Sequence, residues 1–428
     1  MNLATPKSRP RTFDYESLYR QQAPALQALV QRLYTNSPYY RKKLTAAGIN
    51  PGDIKTVADL ARVPLTDKWE LRNGKPLDLM AVPEAEVVRI HSSSGTTGKP
   101  IIIPYTRQDV TDWTVMMARC FNQAGVSKHD RVQITPGYGL WTAGIGFQAG
   151  VEYIGAMAIP TGAGNTAKQL EMMLDLQTTV LTATASYALF LGEEIQRQGF
   201  RKELALRTGL LGSERWGDKM RRRIEELLGI ETYDIYGLTE IYGPGIGLDC
   251  HYHTGIHIWT DYLLVEIIDP ASGKQLAPGE LGELVITTLT KQGMPLLRYR
   301  THDLTRLKVE ACPCGSRFPM IDRVLGRTDD MVKIKGVNIY PGQIDHVLQH
   351  TPGAGSEYQL ILTREQGKDR LQVKVEFLPG YEAADVAAEC RQQIKTRIGI
   401  LADTEAVPLG SLPRSEKKTR RVYDYRNV

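Results

Sequence analysis

An α/β protein in two parts, a large N-terminal domain and a small α+β C-terminal domain, is what the sequence predicts, and three observations carry that expectation. Short apolar runs alternate with helical stretches from about Arg89, a more purely β texture follows from Tyr262, and a smaller unit with its own strands and helix begins after Gly326. Alternating strands and helices indicate mixed or largely parallel sheets covered on both faces. A chain of 428 residues is also long for one core and suits two domains of unequal size.

The first ninety residues read as helical. Leu26, Leu29, Val30 and Leu33 recur at helical spacing, and Thr66-Asp67 offers an N-cap before Lys68-Trp69-Glu70-Leu71. The segments 131–135, 156–160 and 179–183 read as strands, with helices between them at 167–176 and 186–197. Ligands in such sheets bind at the carboxyl ends of strands, where loops meet helix starts. From Tyr262 the runs LLVEIID, GELVITTL and PLLRYRTHDLTRL form a β-rich subdomain, punctuated by Gly and Pro. In the last part, YQLILTR and LQVKVEFL read as two strands joined by the turn EQGKD. A helix from Ala383 to Ile398 carries Val386, Cys390, Ile394 and Ile398 on one face, which places Cys390 in a core.

Composition excludes several classes. Apolar residues make up 42% and charged residues 24%, an ordinary globular balance. The net charge of +5 is small, and no basic stripe is interleaved with exposed aromatics, so nucleic acid is not an expected partner. The N-terminal stretch lacks an apolar run of signal-peptide length, and nothing downstream approaches about 18 continuous apolar residues. A cytoplasmic protein without membrane contact is expected. Five cysteines are too few, and odd in number, for a disulfide framework.

The most informative stretch is His91-Ser92-Ser93-Ser94-Gly95-Thr96-Thr97-Gly98-Lys99-Pro100. Small hydroxyl residues and two glycines let backbone N–H groups converge on phosphate oxygens, and the hydroxyls and lysine add donors. It is not the P-loop of the nucleotide triphosphatases. That motif has four residues between its glycines and a Ser or Thr after the lysine; here there are two, followed by Pro100.

SSSGTTGKP resembles the phosphate-binding loop of the adenylate-forming superfamily, and four further blocks match that superfamily in order. The resemblance implies that Ser93, Ser94, Gly95, Thr96, Thr97, Gly98 and Lys99 bind ATP phosphates. Tyr236-Gly237-Leu238-Thr239-Glu240 resembles the block in which Glu240 would hold Mg²⁺ and Thr239 a phosphate. Tyr299-Arg300-Thr301-His302-Asp303 resembles the block whose aspartate, here Asp303, holds the ribose hydroxyls. Gly326-Arg327-Thr328-Asp329-Asp330 resembles the hinge block, with Arg327 near the ribose and Asp329 as pivot. Pro413-Arg414-Ser415-Glu416-Lys417-Lys418-Thr419 resembles the block with the catalytic lysine. Lys418 fits that register, but Lys417 stands where glycine is usual, so the choice between the two stays open. The resemblance divides the chain into a large domain, 1–328, and a small mobile domain, 329–428.

The chemistry accounts for these residue types. A carboxylate attacks the α-phosphate of ATP and pyrophosphate leaves, so charge builds on phosphate oxygens, where Mg²⁺ and N–H donors stabilise it. An ionised aspartate offers two acceptor oxygens to two ribose hydroxyls. The resemblance implies that coenzyme A then takes the acyl group as a thioester.

Within the superfamily, the phenylacetate–coenzyme A ligase branch is the one the chain resembles. Pro136-Gly137-Tyr138-Gly139-Leu140-Trp141-Thr142-Ala143-Gly144 is similar to its glycine-rich substrate wall, and Leu211-Gly212-Ser213-Glu214-Arg215-Trp216 to its adenine-side loop. Ser213, Glu214, Tyr236 and Gly237 then belong to the nucleotide. Tyr138, Gly139, Trp141, Gly144, Gly212 and Pro244 would face an aryl acid, because glycines leave space for a flat ring and aromatics pack on it. Relatives of this kind imply a homodimer. An enzyme that passes the acyl group to a carrier protein, or a non-catalytic nucleotide-binding protein, are the alternatives. Separately, Cys250, His257, Cys312 and Cys314 offer three thiolates and an imidazole, a common closed set for structural zinc. His251 and His253 are alternative ligands.

Overall fold

The computed structural model describes residues 12–74, 77–93, 100–334, 337–365, 368–415 and 419–426. Residues 94–99 of the expected phosphate loop, Gly336, Lys417 and Lys418 lie outside the described residues. Contacts group the chain into two compact units, Met1–Ala124 with Gly139–Gly146 and Ile235–Arg323, and Gly125–Tyr138 with Phe147–Asp234 and Val324–Val428.

In the first unit the helix Tyr15–Asn36 starts at Asp14, whose side chain accepts the Ser17 N–H. Its Leu26, Leu29, Val30 and Leu33 are buried with Leu44, Leu60, Leu264 and Leu297 in one cluster, as their helical spacing predicts. The expected cap at Asp67 forms as a full capping box with Glu70 and starts the helix Lys68–Asn73. The strands Leu263–Ile268, Gly282–Thr288 and Tyr299–Thr305 pair antiparallel, with Val265 opposite Ile286 and Val285 opposite Arg300. All of Leu263–Ile268 is buried, so its charged Glu266 is met by Arg298 at 3.0 Å. The last of these strands is shorter than the run PLLRYRTHDLTRL. Arg298 takes a left-handed φ of 49° and breaks the extended chain just before Tyr299.

A second antiparallel ladder in this unit was weak in the sequence. Gly243–Asp249 pairs with Ile256–Ile258, which in turn pairs with Met320–Ile321. Glycines at 243, 245 and 247 hide the strand pattern. The helix Arg107–Gln123 packs with the Gly243–Asp249 strand.

In the second unit the strands Arg131–Ile134, Met157–Ile159, Val180–Thr184 and Thr208–Gly212 are parallel, with Gln133 opposite both Ile159 and Leu181, and Thr182 opposite Leu210. Helices Thr166–Asp175 and Ala185–Gln198 lie close to the expected positions, and a third, Asp218–Leu228, was not expected from the sequence. Gly192 lets two of them meet, since a Cβ there would press on Leu227. Toward the C-terminus, Asp403–Pro408, Lys368–Phe377, Ala354–Glu365 and Val422–Asp424 form a four-stranded sheet in that order. The helices Pro341–Gln349 and Ala383–Ile398 contribute to its core, where Cys390 is fully buried with Val386 and Ile394. No helix among the described residues is long and apolar enough to cross a membrane.

Candidate active site

The expected phosphate loop springs from a hairpin. Val87–Ser92 and Ile102–Thr106 pair antiparallel with Ser92 opposite Ile102, and the base closes where Ser93 N–H donates to the Ile101 carbonyl and Ile101 N–H to Ser93 Oγ. Beneath it His91 is buried edge-on against Tyr105 and Trp113, with Nδ1 3.2 Å from the Leu140 carbonyl. Burial lowers its pKa and favours the neutral ring. Ser92 N–H also donates to the Leu140 carbonyl, which ties the hairpin to the glycine-rich stretch.

Two of the expected nucleotide residues meet directly. The Tyr236 hydroxyl donates to Asp303 Oδ2 at 2.6 Å, and both residues are buried. Asp303 follows His302, whose φ of 65° is rare for a non-glycine residue and marks an irregularity in the middle of the strand Tyr299–Thr305, where the pairing with Gly282–Thr288 shifts register. Gly237 serves packing, because a Cβ there would overlap the Gly243 carbonyl. The chain then turns, and Thr239 Oγ1 lies 3.3 Å from Thr142 Oγ1. The Glu240 side chain is partly exposed. Below this turn Lys291 is fully buried, and burial pushes its ammonium down to about 7 against the pull of Asp109 and Glu240.

Of the residues expected to face the acid, Gly139 takes a φ of 93° that suits glycine, and Trp141 is 44% exposed. Gly144 is buried within the helix Ala143–Tyr153, and the Pro244 carbonyl accepts the Trp113 indole N–H at 2.8 Å. In the second unit, burial pushes the Tyr138 phenol up to about 12. Gly212 ends the strand Thr208–Gly212, Ser213 is left-handed at φ 67°, and Glu214 Oε1 accepts the Ser186 N–H at 2.7 Å. Burial raises the Glu214 carboxyl pKa, opposed by its bonds to Ser186 and Thr419. Arg327 pairs with Asp329 at 2.9 Å.

Sequence reasoning did not give Arg414 and Arg215 roles of their own. Arg414 forks onto Glu193 at 2.8 Å and Glu376 at 2.9 Å, and Thr419 N–H donates to Glu214 Oε2. Arg215 reaches the carbonyls of Val324 and Gly342 and the carboxylate of Asp345. An arginine within a recognised block was the available signal, but its acidic partners are far away in sequence.

Cys250, His257, Cys312 and Cys314 come together, with one ligand atom from each, all within 4.8 Å of one another. The fold makes this set: His257 is paired across the ladder with Leu248 on one side and Met320 on the other. That brings the loop after Asp249 and the loop before Met320 to the same edge. Cys250 Sγ is 3.5 Å from Cys312 Sγ, and Cys314 Sγ is 3.4 Å from His257 Nε2. His257 Nδ1 lies 3.0 Å from the Phe318 carbonyl, so a proton there leaves Nε2 as the ligand atom. Burial raises the Cys250 and Cys314 thiols and lowers the His257 imidazole, which favours the neutral forms, so a cation would bind there with release of the thiol protons. His253 instead lies 2.9 Å from Asp249, and neither it nor His251 joins the set.

A family model described as AMP-binding enzyme matches residues 27–290, and one described as AMP-binding enzyme C-terminal domain matches 336–426. The phenylacetate-coenzyme A ligase of Escherichia coli (strain K12) is 42% identical over 426 residues, 97% of each chain. That of Pseudomonas putida is 41% identical over 425 residues, 97% of this chain and 96% of its own. The solved structure of 2-hydroxyisobutyryl-CoA ligase in the postadenylation state, in complex with R3-HIB-AMP, is similar with a TM-score of 0.87 at 28% identity, covering 99% of this chain and 94% of that one. The chain belongs to the AMP-binding enzyme family. Within it, the chain groups with the phenylacetate–coenzyme A ligases.

Proposed function

We infer that the acid activated by this ATP-dependent, AMP-forming acid–coenzyme A ligase is an aryl acid of the phenylacetate type. The observation that carries this reading is the near-full-length similarity to phenylacetate-coenzyme A ligases from four organisms, at 37–42% identity. In the first half-reaction the acid carboxylate attacks the α-phosphorus of ATP, forming the acyl-adenylate and releasing pyrophosphate. In the second, the coenzyme A thiol takes the acyl group and AMP leaves.

Each residue has a role in this reading. Asp303 accepts the ribose hydroxyls, and its Oδ2 is steadied by the Tyr236 hydroxyl. Glu240 suits Mg²⁺, a hard cation that takes one or two protein oxygens and keeps several waters. When bound, the ion offsets charge on the phosphate oxygens. Thr239 and residues 93–99 bind phosphates, Ser213 and Glu214 flank the adenine, and Arg327 lies near the ribose. Tyr138, Gly139, Trp141, Gly144, Gly212 and Pro244 shape the acid site. Lys418, or Lys417 in the neighbouring register, reaches the carboxylate during adenylation from a small domain, 329–428, that pivots at Asp329. The C-terminal family match over 336–426 supports that division.

The four-residue Cys/His set is a structural zinc site. A tetrahedral ion with bonds of about 2.3 Å to sulfur and about 2.0 Å to nitrogen sets neighbouring ligand atoms roughly 3.5–3.8 Å apart. The Cys250–Cys312 and Cys314–His257 separations of 3.5 and 3.4 Å come close to that range. The homodimer rests on the resemblance to the family, and the cytoplasmic location on the lack of a long apolar run in the sequence.

The test is a panel of acids, including phenylacetate, hydroxyphenylacetates, indole-acetate, benzoate and short aliphatic acids, with ATP and coenzyme A. Phenylacetate or a close aryl relative should give the highest kcat/KM for AMP release. A preference for a short aliphatic acid would overturn the aryl reading, and AMP release without thioester formation would favour another acceptor.

A further inference from the structure

Lys291 is fully buried, in a position that ordinary packing would fill with an apolar side chain. Its ammonium lies 4.6 Å from the Tyr105 ring centroid and 4.9 Å from that of Tyr242. It donates to the Glu240 carbonyl at 3.3 Å and to the Ile241 carbonyl. The Tyr105 hydroxyl lies 2.8 Å from the Tyr242 carbonyl and 3.4 Å from that of Thr239. Four consecutive carbonyls, 239 to 242, are thus held by two side chains.

The base of this clamp is itself fixed. The backbone N–H groups of Gln292 and Gly293 donate to Asp109, which also closes the capping box of the Arg107–Gln123 helix with Thr106. Gly293 has no room for a Cβ beside the Pro104 carbonyl, and the Tyr242 hydroxyl lies 3.2 Å from Thr290 Oγ1.

We propose that Lys291 is a positioning residue for adenylation, whose ammonium fixes the backbone of the 239–242 turn so that the Glu240 carboxylate and Thr239 hydroxyl are presented in one geometry. Desolvating an ammonium is costly, and two carbonyls plus two aromatic faces replace its water. A neutral side chain of similar volume would fill the space and leave those carbonyls unheld. Lys291 acts only through the turn. The inference rests on the reading that Glu240 supports Mg²⁺ in the reaction.

The test compares Lys291→Met, Lys291→Arg and Glu240→Ala in the full-length enzyme. Readouts are the Mg²⁺ half-saturation of acid-dependent ATP–pyrophosphate exchange, the KM for the acid, conversion of supplied acyl-adenylate to thioester, and Tm. A misplacement of about 1 Å can cost on the order of 10²-fold in rate. Lys291→Met should therefore slow exchange by about 10–100-fold and raise the Mg²⁺ half-saturation several-fold. The acid KM and the thioester half-reaction should stay near wild type. Lys291→Arg keeps the charge with altered donor geometry and should fall between the two. Parallel loss of both half-reactions with a lower Tm and unchanged Mg²⁺ half-saturation would make Lys291 a packing residue and overturn the proposal. If Lys291→Met does not fold, wild-type Mg²⁺ half-saturation in Lys291→Arg overturns it. A defective Glu240→Ala beside a wild-type-like Lys291→Met sinks this inference alone; a Glu240→Ala with normal exchange sinks the reading beneath it.

Discussion

Tyr236 and Asp303 form a buried pair in which one hydroxyl occupies one carboxylate oxygen. A buried carboxylate proposed to accept bonds from ribose would be held in place by such a partner, because a misplaced acceptor in a dry site loses more than one in water. Glu240 stands in the opposite environment, partly exposed, where hydrated Mg²⁺ can approach. Replacing either carboxylate by alanine should lower pyrophosphate exchange by roughly 10²–10³, the usual cost of one lost charge-stabilising contact in a transition state. Asp303→Ala should raise the KM for ATP as well, and Glu240→Ala should raise the Mg²⁺ requirement. Near-normal exchange in either variant, measured at saturating acid, would remove that residue from the site.

Among the elements, the Gly243–Asp249, Ile256–Ile258 and Met320–Ile321 ladder has a consequence beyond its own stability. It sets two loops, separated by more than fifty residues in the chain, at one edge and so assembles Cys250, His257, Cys312 and Cys314. A closed set of four protein ligands leaves no open position, so the ion would brace the fold and take no part in the reaction. Elemental analysis of the purified protein should find one zinc per chain. Cys312→Ser with Cys314→Ser should abolish it and lower Tm, while the KM for ATP stays near wild type in whatever protein remains folded. Absence of zinc from the native protein, or retention of full zinc by the double variant, would refute the assignment.

On the scale of the whole molecule, two half-reactions make opposite demands. In the proposed mechanism adenylation would need a lysine at the carboxylate, and thioester formation would need that position cleared for the coenzyme A thiol, so a moving domain would be the economical solution. The compact unit that contains residues 324–428 also contains 125–138 and 147–234, and Arg414–Glu193, Arg215–Asp345 and the Lys219 bonds to the carbonyls of Thr351 and Ala354 bind those stretches together. A pivot at Asp329 would have to break these contacts in each turnover. Lys418→Ala should therefore cripple adenylation yet still convert a supplied acyl-adenylate to thioester. Asp329→Pro, which confines φ near −65°, should impair thioester formation more than adenylation. If Lys417→Ala abolishes adenylation and Lys418→Ala does not, the lysine register shifts by one. If neither matters, the moving-domain reading loses its main support.

Much of this protein could be read directly from the chain. Periodicity is a local property, so the helix Ala383–Ile398 with Cys390 in its core, the Asp67 cap, and the strands between residues 131 and 184 with the helices Thr166–Asp175 and Ala185–Gln198 were legible, while the helix Ala143–Tyr153 was not. The ordered blocks from His91 to Thr419 carried the family, because phosphate, ribose and Mg²⁺ each demand particular donors or acceptors at short spacing. The Cys/His set was legible as a composition of ligands, while the choice of His257 over His251 and His253 needed the strand register that aligns it. Only the tertiary structure decided which distant groups meet. Lys291 reads as an unremarkable charge after an apolar strand, and only folding places it between Tyr105 and Tyr242 under the Glu240 turn. Arg414 likewise finds Glu193 across 221 residues. Such contacts carry no local signal, since one side chain does not encode which distant carbonyl or carboxylate will face it once the backbone has closed.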